Sequence, residues 1–250
     1  MIKKKVLFIV NPISGGTKKD TAVNAIKTCM DSSRYDWEIA YTAGVGDAAS
    51  FASKAVADGY DVVGAVGGDG TISEVASQLV HSDTALGIIP CGSGNGLARH
   101  LHIPLEYTKA VDLINVCETR LIDYGKINGL PFFCTCGMGF DAFVSMKFAE
   151  SGKRGPISYA ENILREGLKY QPETYTLEDE TGTKQYKAFL ISCANASQYG
   201  NNAYIAPQAS MSDGLMDVVI MEPFDVLEAP QVGFDMFNKT LDKHSKIKSF

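Results

Sequence analysis

Val62-Val63-Gly64-Ala65-Val66-Gly67-Gly68-Asp69-Gly70-Thr71 is the stretch on which the fold turns. Its first five residues form an apolar, β-branched run with the length of a strand buried on both faces. A glycine cluster holding a single carboxylate follows at once. The same arrangement occurs on either side: Val6–Val10 leads into Asn11-Pro12-Ile13-Ser14-Gly15-Gly16, and Leu86–Pro90 leads through Cys91 into Gly92-Ser93-Gly94-Asn95-Gly96. In an open α/β sheet the ligand crevice lies outside the carboxyl ends of the strands, where backbone free of side chains lets a bulky anion reach N–H groups and helix N-termini. Three such loops on one edge would surround a polyphosphate.

Asp69 is the informative exception within its glycine turn. An acid at that position repels phosphate unless a divalent cation lies between them, so Asp69 reads as a magnesium-side or catalytic residue. Mg²⁺ is commonly held by one or two carboxylates together with substrate phosphates and several waters. Thr71 is expected to be the N-cap of a helix over Ile72–Val80, with Glu74 completing a capping box. The alternative is that Asp69 merely caps a tight turn. Its place after a buried strand and between two further glycine loops argues for the functional reading.

The remaining periodicity gives βα repeats to about residue 115, with strands at Trp37–Tyr41 and Asp61–Val66. Helices are expected near Lys18–Met30, Asp47–Ala57 and Tyr107–Val116. Right-handed crossovers would place them on both faces of a parallel sheet. Beyond Arg120 the pattern turns antiparallel: Leu121–Ile127 and Pro131–Cys136 flank Asn128-Gly129, and Tyr175–Glu178 and Gln185–Cys193 flank Thr181-Gly182, both hairpin signals. A further strand is expected at Leu215–Met221, with helices near Phe140–Glu150, Ile157–Lys169 and Phe224–Lys243. The Lys243–Lys248 run reads as the entry to another strand.

Composition narrows the function classes. Of 250 residues, 29 are Asp or Glu and 23 are Lys or Arg, a net charge of -6, which disfavours nucleic acid as the main partner because phosphate-backbone binding needs clustered positive charge. No run approaches the roughly 18 apolar residues of a transmembrane helix. Lys3-Lys4-Lys5 before Val6–Val10 imitates a signal peptide, but a secretory apolar region needs about 7 to 15 residues. The expected location is cytoplasmic. The cysteines Cys29, Cys91, Cys117, Cys134, Cys136 and Cys193 lack paired metal-ligand spacing and are expected to be reduced and buried. His100 and His102 are assigned no metal. Gly-x4-Gly-Lys-Ser/Thr is absent, so a P-loop mechanism has no support.

The motifs together resemble the diacylglycerol kinase catalytic-domain family of lipid kinases, which includes sphingosine and ceramide kinases and is distantly related to NAD kinases and phosphofructokinases. Asn11-Pro12-x-Ser14-Gly15-Gly16, Gly67–Thr71 and Gly92-Ser93-Gly94-Asn95-Gly96-Leu97-Ala98-Arg99 carry the first half of the resemblance. Gly137-x-Gly139-Phe140-Asp141-Ala142, Asn195-x4-Gly200 and Ile205-Ala206-Pro207-x-Ala209-x3-Asp213-Gly214-Leu215-x-Asp217-Val218 carry the second. The resemblance implies an α/β fold: an N-terminal three-layer αβα nucleotide-binding domain of NAD kinase and phosphofructokinase type over residues 1–118, then a β-rich, antiparallel lipid-substrate domain over 119–250.

The implied activity is transfer of the γ-phosphate of ATP, with Mg²⁺, to the hydroxyl of a lipid of diacylglycerol or sphingoid type. The substrate would lie in the cleft between the domains, reached by peripheral contact with a membrane surface through apolar walls at Gly137–Val144 and Ile157–Leu168, helped by Lys153 and Arg154. A homodimer is compatible with this. Asp69 is the implied catalytic residue, holding the metal through water or acting as base. The implied nucleotide contacts are Asn11, Ser14, Gly15, Gly16, Thr42, Gly67, Gly68, Gly70, Thr71, Gly92, Ser93, Gly94 and Asn95, with Arg99 and Lys126 as further sources of positive charge. Asp213 and Asp217 would hold a structural Mg²⁺; a turn followed by a strand explains that segment equally well.

Two positions depart from the family pattern. Gly96 stands where many bacterial diacylglycerol kinases carry a second acid, which brings the loop nearer to the sphingosine and ceramide kinase branch. A late Asp-Gly-Glu segment, whose acid serves as base in bacterial relatives, is missing before Phe250, so the second domain reads as truncated, or else as a natural short form in which Asp69 acts as base. An NAD kinase-like enzyme, or a nucleotide-binding regulator without the catalytic C-terminal segment, are the alternatives.

Overall fold

Residues buried on both sides must form strands covered by helices on both faces, and the apolar runs do so. The computed structural model describes residues 3–13, 19–143, 146, 170–225 and 227–250. They divide into two units, residues 1–122 with 131–133, and residues 123–130 with 134–250.

The first unit alternates β1 (Lys4–Val10), α1 (Lys19–Cys29), β2 (Tyr35–Tyr41), α2 (Asp47–Ala57), β3 (Val62–Gly67), α3 (Asp69–Leu79), β4 (Ala85–Pro90), α4 (Gly96–His100) and α5 (Tyr107–Val116). The four strands are parallel in the order β2-β1-β3-β4, with Val6 beside Val62 and Val66 beside Ile89. Every residue of β3 and the last five of β1 are buried. Alternation divides them between two layers: Val6, Phe8, Val10 and Val62 pack with Ala22, Val23 and Ile26 of α1 and Ala110, Val111 and Ile114 of α5, while α2 and α3 pack together as the other layer. The unit is a three-layer αβα fold.

That strand order creates a switch point, because β1 has β2 on one side and β3 on the other, so the chain leaves these strands in opposite directions. Three backbone bonds carry the ladder just past the strand ends: the N–H of Asn11 donates to Val66 O at 3.1 Å, that of Thr42 to Val10 O at 2.9 Å and that of Cys91 to Gly67 O at 2.7 Å. The glycine loops therefore depart side by side from one edge.

The second unit is antiparallel and β-rich. It contains β7 (Thr135–Gly139), β10 (Leu190–Ala194), β11 (Asp217–Met221) and β12 (Ile247–Ser249) in one sheet ordered β12-β11-β10-β7. Two further two-stranded hairpins are β5 (Gly125–Ile127) with β6 (Leu130–Phe132), whose residues 131 and 132 count with the first unit, and β8 (Glu173–Asp179) with β9 (Gly182–Ala188), whose Tyr175, Leu177 and Tyr186 pack against Ile191 and Ile220 of the sheet. Asn128 and Gly129 have φ of 51° and 83°, the paired left-handed conformations of a two-residue hairpin turn. One face of the sheet buries Leu190, Ala194, Val219 and Met221 against Val232 of α6 (Ala229–Phe237) and Leu241.

Several boundaries differ from the sequence reading. The expected Pro131–Cys136 strand is cut into β6 and β7 at Phe133-Cys134, and Gln185–Cys193 is cut into β9 and β10 at Phe189. Phe189 breaks the run because its N–H donates to Met221 O and its carbonyl accepts from the Phe140 N–H, so its backbone serves two different strand ends. The long helix expected over Phe224–Lys243 is only α6. The Asp225 N–H is taken by the Glu228 carboxylate before it, Pro230 lies in its first turn, and Lys239 at φ 60° ends it. Of the cysteines only Cys91 is buried; the other five are half-buried, and all six are free thiols. The Ile157–Lys169 helix lies outside the described residues, as does most of the Phe140–Glu150 one, of which residues 140–143 are helical.

Gly64 gives the sheet a test. A Cβ there would lie 2.5 Å from the Phe8 ring, whereas one at Gly87 would meet only the flexible end of Ile114 at 3.1 Å. Gly64→Ala should cost about 1–3 kcal/mol by overpacking, and Gly87→Ala less. Urea unfolding of both variants checks this; equal midpoints would contradict the packing account.

Candidate active site

The second and third glycine loops are held together by contacts that only small residues allow. Gly68 and Gly92 approach backbone to backbone: a Cβ on Gly92 would lie 2.6 Å from Gly68 Cα and 2.9 Å from Asn95 Oδ1, and one on Gly68 would lie 3.2 Å from Gly92 Cα. Gly67 is packed against Thr71, whose side chain would stand 2.6 Å from any Cβ at 67. Gly70 faces open space. Asn11 joins the first loop to the second, its Nδ2 donating to Thr71 Oγ1 at 3.0 Å while its Oδ1 accepts the Ile13 N–H. Ser93 is exposed and Gly94 half-buried; Arg99 folds back so that its Nε donates to Gly94 O at 3.0 Å.

Thr71 is not an N-cap. Helix α3 starts two residues earlier, with extended Gly68 as its cap and the Ile72 N–H bonded to Gly68 O, so Thr71 lies in the first turn and its hydroxyl turns inward to Asn11. The expected capping box with Glu74 is thereby displaced. Asp69 becomes the first residue of the helix, where a carboxylate is favoured by the helix dipole.

The Asp69 carboxylate points to the start of α4. The Leu97 N–H donates to Oδ1 at 3.4 Å, and the nearby amides of Gly96 and Asn95 also favour the charged form of the carboxylate. Burial nevertheless pushes the carboxyl above its usual range, outweighing these amides. Thr42 is buried at the end of β2 with its N–H on Val10 O. Asn11, Thr42, Gly67, Gly68, Asp69, Gly70, Thr71 and the loop from Gly92 to Asn95 therefore occupy the carboxyl edge of one sheet. Ser14, Gly15 and Gly16 lie outside the described residues.

In the second unit Asp213 and Asp217 are close enough for the charge of Asp213 to reinforce the effect of burial in raising the Asp217 carboxyl. Asp213 Oδ1 accepts the Leu215 N–H at 3.0 Å. Among the described residues no group of three His, Cys, Asp or Glu side chains is arranged to hold a metal. Lys126 is exposed, with its ammonium 5.8 Å from the centre of the Tyr124 ring.

Residues 5–127 match the family described as Diacylglycerol kinase catalytic domain, and residues 134–236 match the YegS C-terminal NAD kinase beta sandwich-like domain. The chain is also 31% identical over 227 residues to a diacylglycerol kinase of Mycobacterium tuberculosis, covering 87% of this chain and 73% of that protein. The chain belongs to the diacylglycerol kinase family. A Staphylococcus saprophyticus diacylglycerol kinase is 28% identical over 261 residues, covering 98% of this chain and 82% of the relative. The fold is shared with a crystal structure of a diacylglycerol kinase from Bacillus anthracis str. Sterne, at 22% identity and a TM-score of 0.73, covering 100% of this chain and 84% of that one. The chain spans 73% and 82% of the Mycobacterium and Staphylococcus relatives and 58% of a further one, an uncharacterized protein of Synechocystis sp. that is 28% identical over 251 residues. The family is one of lipid kinases, phosphotransferases that act on an alcohol group.

Three residues gain a place that motif reading did not give them. Lys19, 8% exposed, sends its ammonium to the Asn11 carbonyl at the end of β1; burial lowers its pKa, with the nearby Cys91 acting in the opposite sense. Asp123 accepts the Gly214 N–H at 2.9 Å, while its own backbone bonds Met211 O and the Asn195 carboxamide. Asp141 folds back over Gly137, where a Cβ would come within 2.4 Å of its Oδ2, and takes hydrogen bonds from the Ala142 N–H and the Tyr199 hydroxyl; burial pushes its carboxyl up. No sequence signal marks Lys19 or Asp123, because their roles depend on segments remote along the chain. Asp141 was visible only as part of a motif.

A carboxyl whose pKa is raised on folding favours the native state when protonated, and that advantage is lost as pH rises through the folded value. Asp69→Asn should therefore raise the melting temperature at pH 7 relative to wild type. The gain should vanish once the pH falls below the ordinary carboxylate range. A destabilised Asp69→Asn at pH 7 would contradict the burial account.

Proposed function

We propose that the protein transfers the γ-phosphate of ATP, in the presence of Mg²⁺, to a lipid hydroxyl of diacylglycerol or sphingoid type. The observation carrying this reading is the Asp69 carboxylate, raised by burial at the meeting point of two glycine loops whose backbones touch. Phosphoryl transfer asks little covalent chemistry of the protein and depends on position and charge. Side-chain-free backbone at Gly68 and Gly94, with open space at Gly70, suits a phosphate chain; Asn11 and Thr42 at the ends of β1 and β2 suit the nucleoside.

Asp69 fits a cation beside it, because burial disfavours its uncompensated charge. Mg²⁺ bound there would neutralise the phosphates. Asp69 itself is the catalytic carboxylate, and a raised pKa suits it to taking up the proton of the acceptor hydroxyl. Asp213 and Asp217 fit a second, structural cation by the same reasoning, since burial and the charge of Asp213 both disfavour the charged form of Asp217. Residues 119–250 would supply the lipid-binding domain.

Peripheral contact with a membrane surface completes the proposal. No helix among the described residues is long and apolar enough to cross a membrane. Phe234 and Phe237 are 62% and 59% exposed, and their i, i+3 spacing puts them on one side of α6, while Leu227, 89% exposed, lies in the turn just before the helix. Such a stripe suits shallow insertion at a lipid interface.

The deciding assay offers diacylglycerol, monoacylglycerol, sphingoid bases and NAD to the protein with ATP. Mg²⁺-dependent lipid phosphorylation is expected, and phosphorylation of NAD alone would overturn the proposal. Asp69→Asn should lower turnover on the order of 10²-fold or more, the scale of a lost base or metal contact. Gly70→Ala should raise stability by up to about 1 kcal/mol through helix propensity while weakening ATP binding in calorimetry. Replacing both Phe234 and Phe237 by Glu should reduce sedimentation with phosphatidylglycerol vesicles and leave turnover of a short-chain, water-soluble lipid unchanged; unaltered vesicle binding would remove α6 from the membrane contact.

A further inference from the structure

We infer that Asn95 is a positioning residue that sets the catalytic carboxylate of Asp69, and that its side chain is not a contact for the nucleotide. The inference rests on the reading of Asp69 given above. Both ends of the Asn95 carboxamide are engaged within its own loop: Oδ1 accepts the Gly92 N–H at 2.8 Å and Nδ2 donates to Gly92 O at 2.9 Å. The side chain is buried, and its backbone is left-handed at φ 51°, ψ 47°, a conformation that Asn adopts more readily than most residues. A carboxamide used in this way closes a ring from Gly92 to Asn95.

That ring fixes Asp69 from two directions. Gly92 lies against Gly68, the residue immediately before Asp69, so the closed turn sets where α3 begins. The left-handed turn at Asn95 then starts α4 at Gly96 and brings the Leu97 N–H to Asp69 Oδ1 at 3.4 Å. Arg99 braces the same turn through Gly94 O. Without the carboxamide, Gly92 loses its internal partners and both constraints on Asp69 loosen together.

A double-mutant cycle in the full chain tests this. Asn95→Gly keeps the left-handed backbone accessible and removes the clamp; Asn95→Asp keeps the shape and the Gly92 N–H bond and serves if the glycine variant does not fold. Each is combined with Asp69→Asn, with circular dichroism as the folding check. Alone, Asn95→Gly should lower kcat about tenfold or more with the ATP dissociation constant, read by calorimetry, unchanged within about twofold. In the Asp69→Asn background it should cost almost nothing further, as expected for residues acting as one unit. A full multiplicative loss in the double variant, or weakened ATP binding with kcat retained, would overturn the role of Asn95. Near-normal turnover of Asp69→Asn alone would instead overturn the catalytic reading of Asp69, and the inference with it.

Discussion

The close approach of Gly68 to Gly92 is the constraint on which the rest of the site depends. Two loops from different strands, β3 and β4, meet with no room for a Cβ between them. A methyl group on Gly92 would have to displace main chain, because the obstructing atom is the Gly68 Cα and not the end of a flexible side chain. From this contact follow the start of α3 at Asp69, the burial of the carboxylate, and the direction from which the α4 amides reach it. The parallel sheet supplies the precondition, since only neighbouring parallel strands deliver successive loops to the same edge.

Both units store charge where it is unfavourable. Asp69, Asp141 and Asp217 all have carboxyls raised mainly by burial, so each lowers stability at neutral pH relative to a neutral side chain. Structural carboxylates usually show the opposite shift because hydrogen bonds and cations favour their charged form. Concentration of disfavoured charge is a common property of functional sites, and a family of phosphotransferases gives it a use. Asp141 is notable because its place requires a bare backbone at Gly137 on the neighbouring strand β7. The Gly-x-Gly-Phe-Asp spacing is therefore one packing solution written across a strand and the helix that follows it.

Apart from the short helix α4, the order of elements in the first unit, the two-residue hairpin at Asn128-Gly129 and the glycine-lined edge were legible from local sequence. Hydrophobic period and turn chemistry act over a few residues, and nothing remote overrides them in those segments. The strand breaks at Phe133-Cys134 and Phe189 were not legible, because each is imposed by a hydrogen-bond partner far along the chain, Met221 in the case of Phe189. Thr71 shows the same limit within a motif. Its residue type fits an N-cap, but packing beneath Gly67 and the bond from Asn11 place it inside the first turn.

By itself the sequence determined that three glycine loops would follow buried strands and that Asp69 would stand among them, since strand burial and glycine placement are encoded in contiguous residues. Only the tertiary structure decided what each loop residue does. Asn95 turns its carboxamide back to Gly92, Asn11 reaches Thr71, Lys19 returns to the end of β1, and Asp123 receives the N–H of Gly214. These are side-chain bonds to partners whose positions are set by the packing of whole strands and helices. Local sequence states which groups are present; the three-dimensional meeting of distant segments fixes which of them remain open for chemistry.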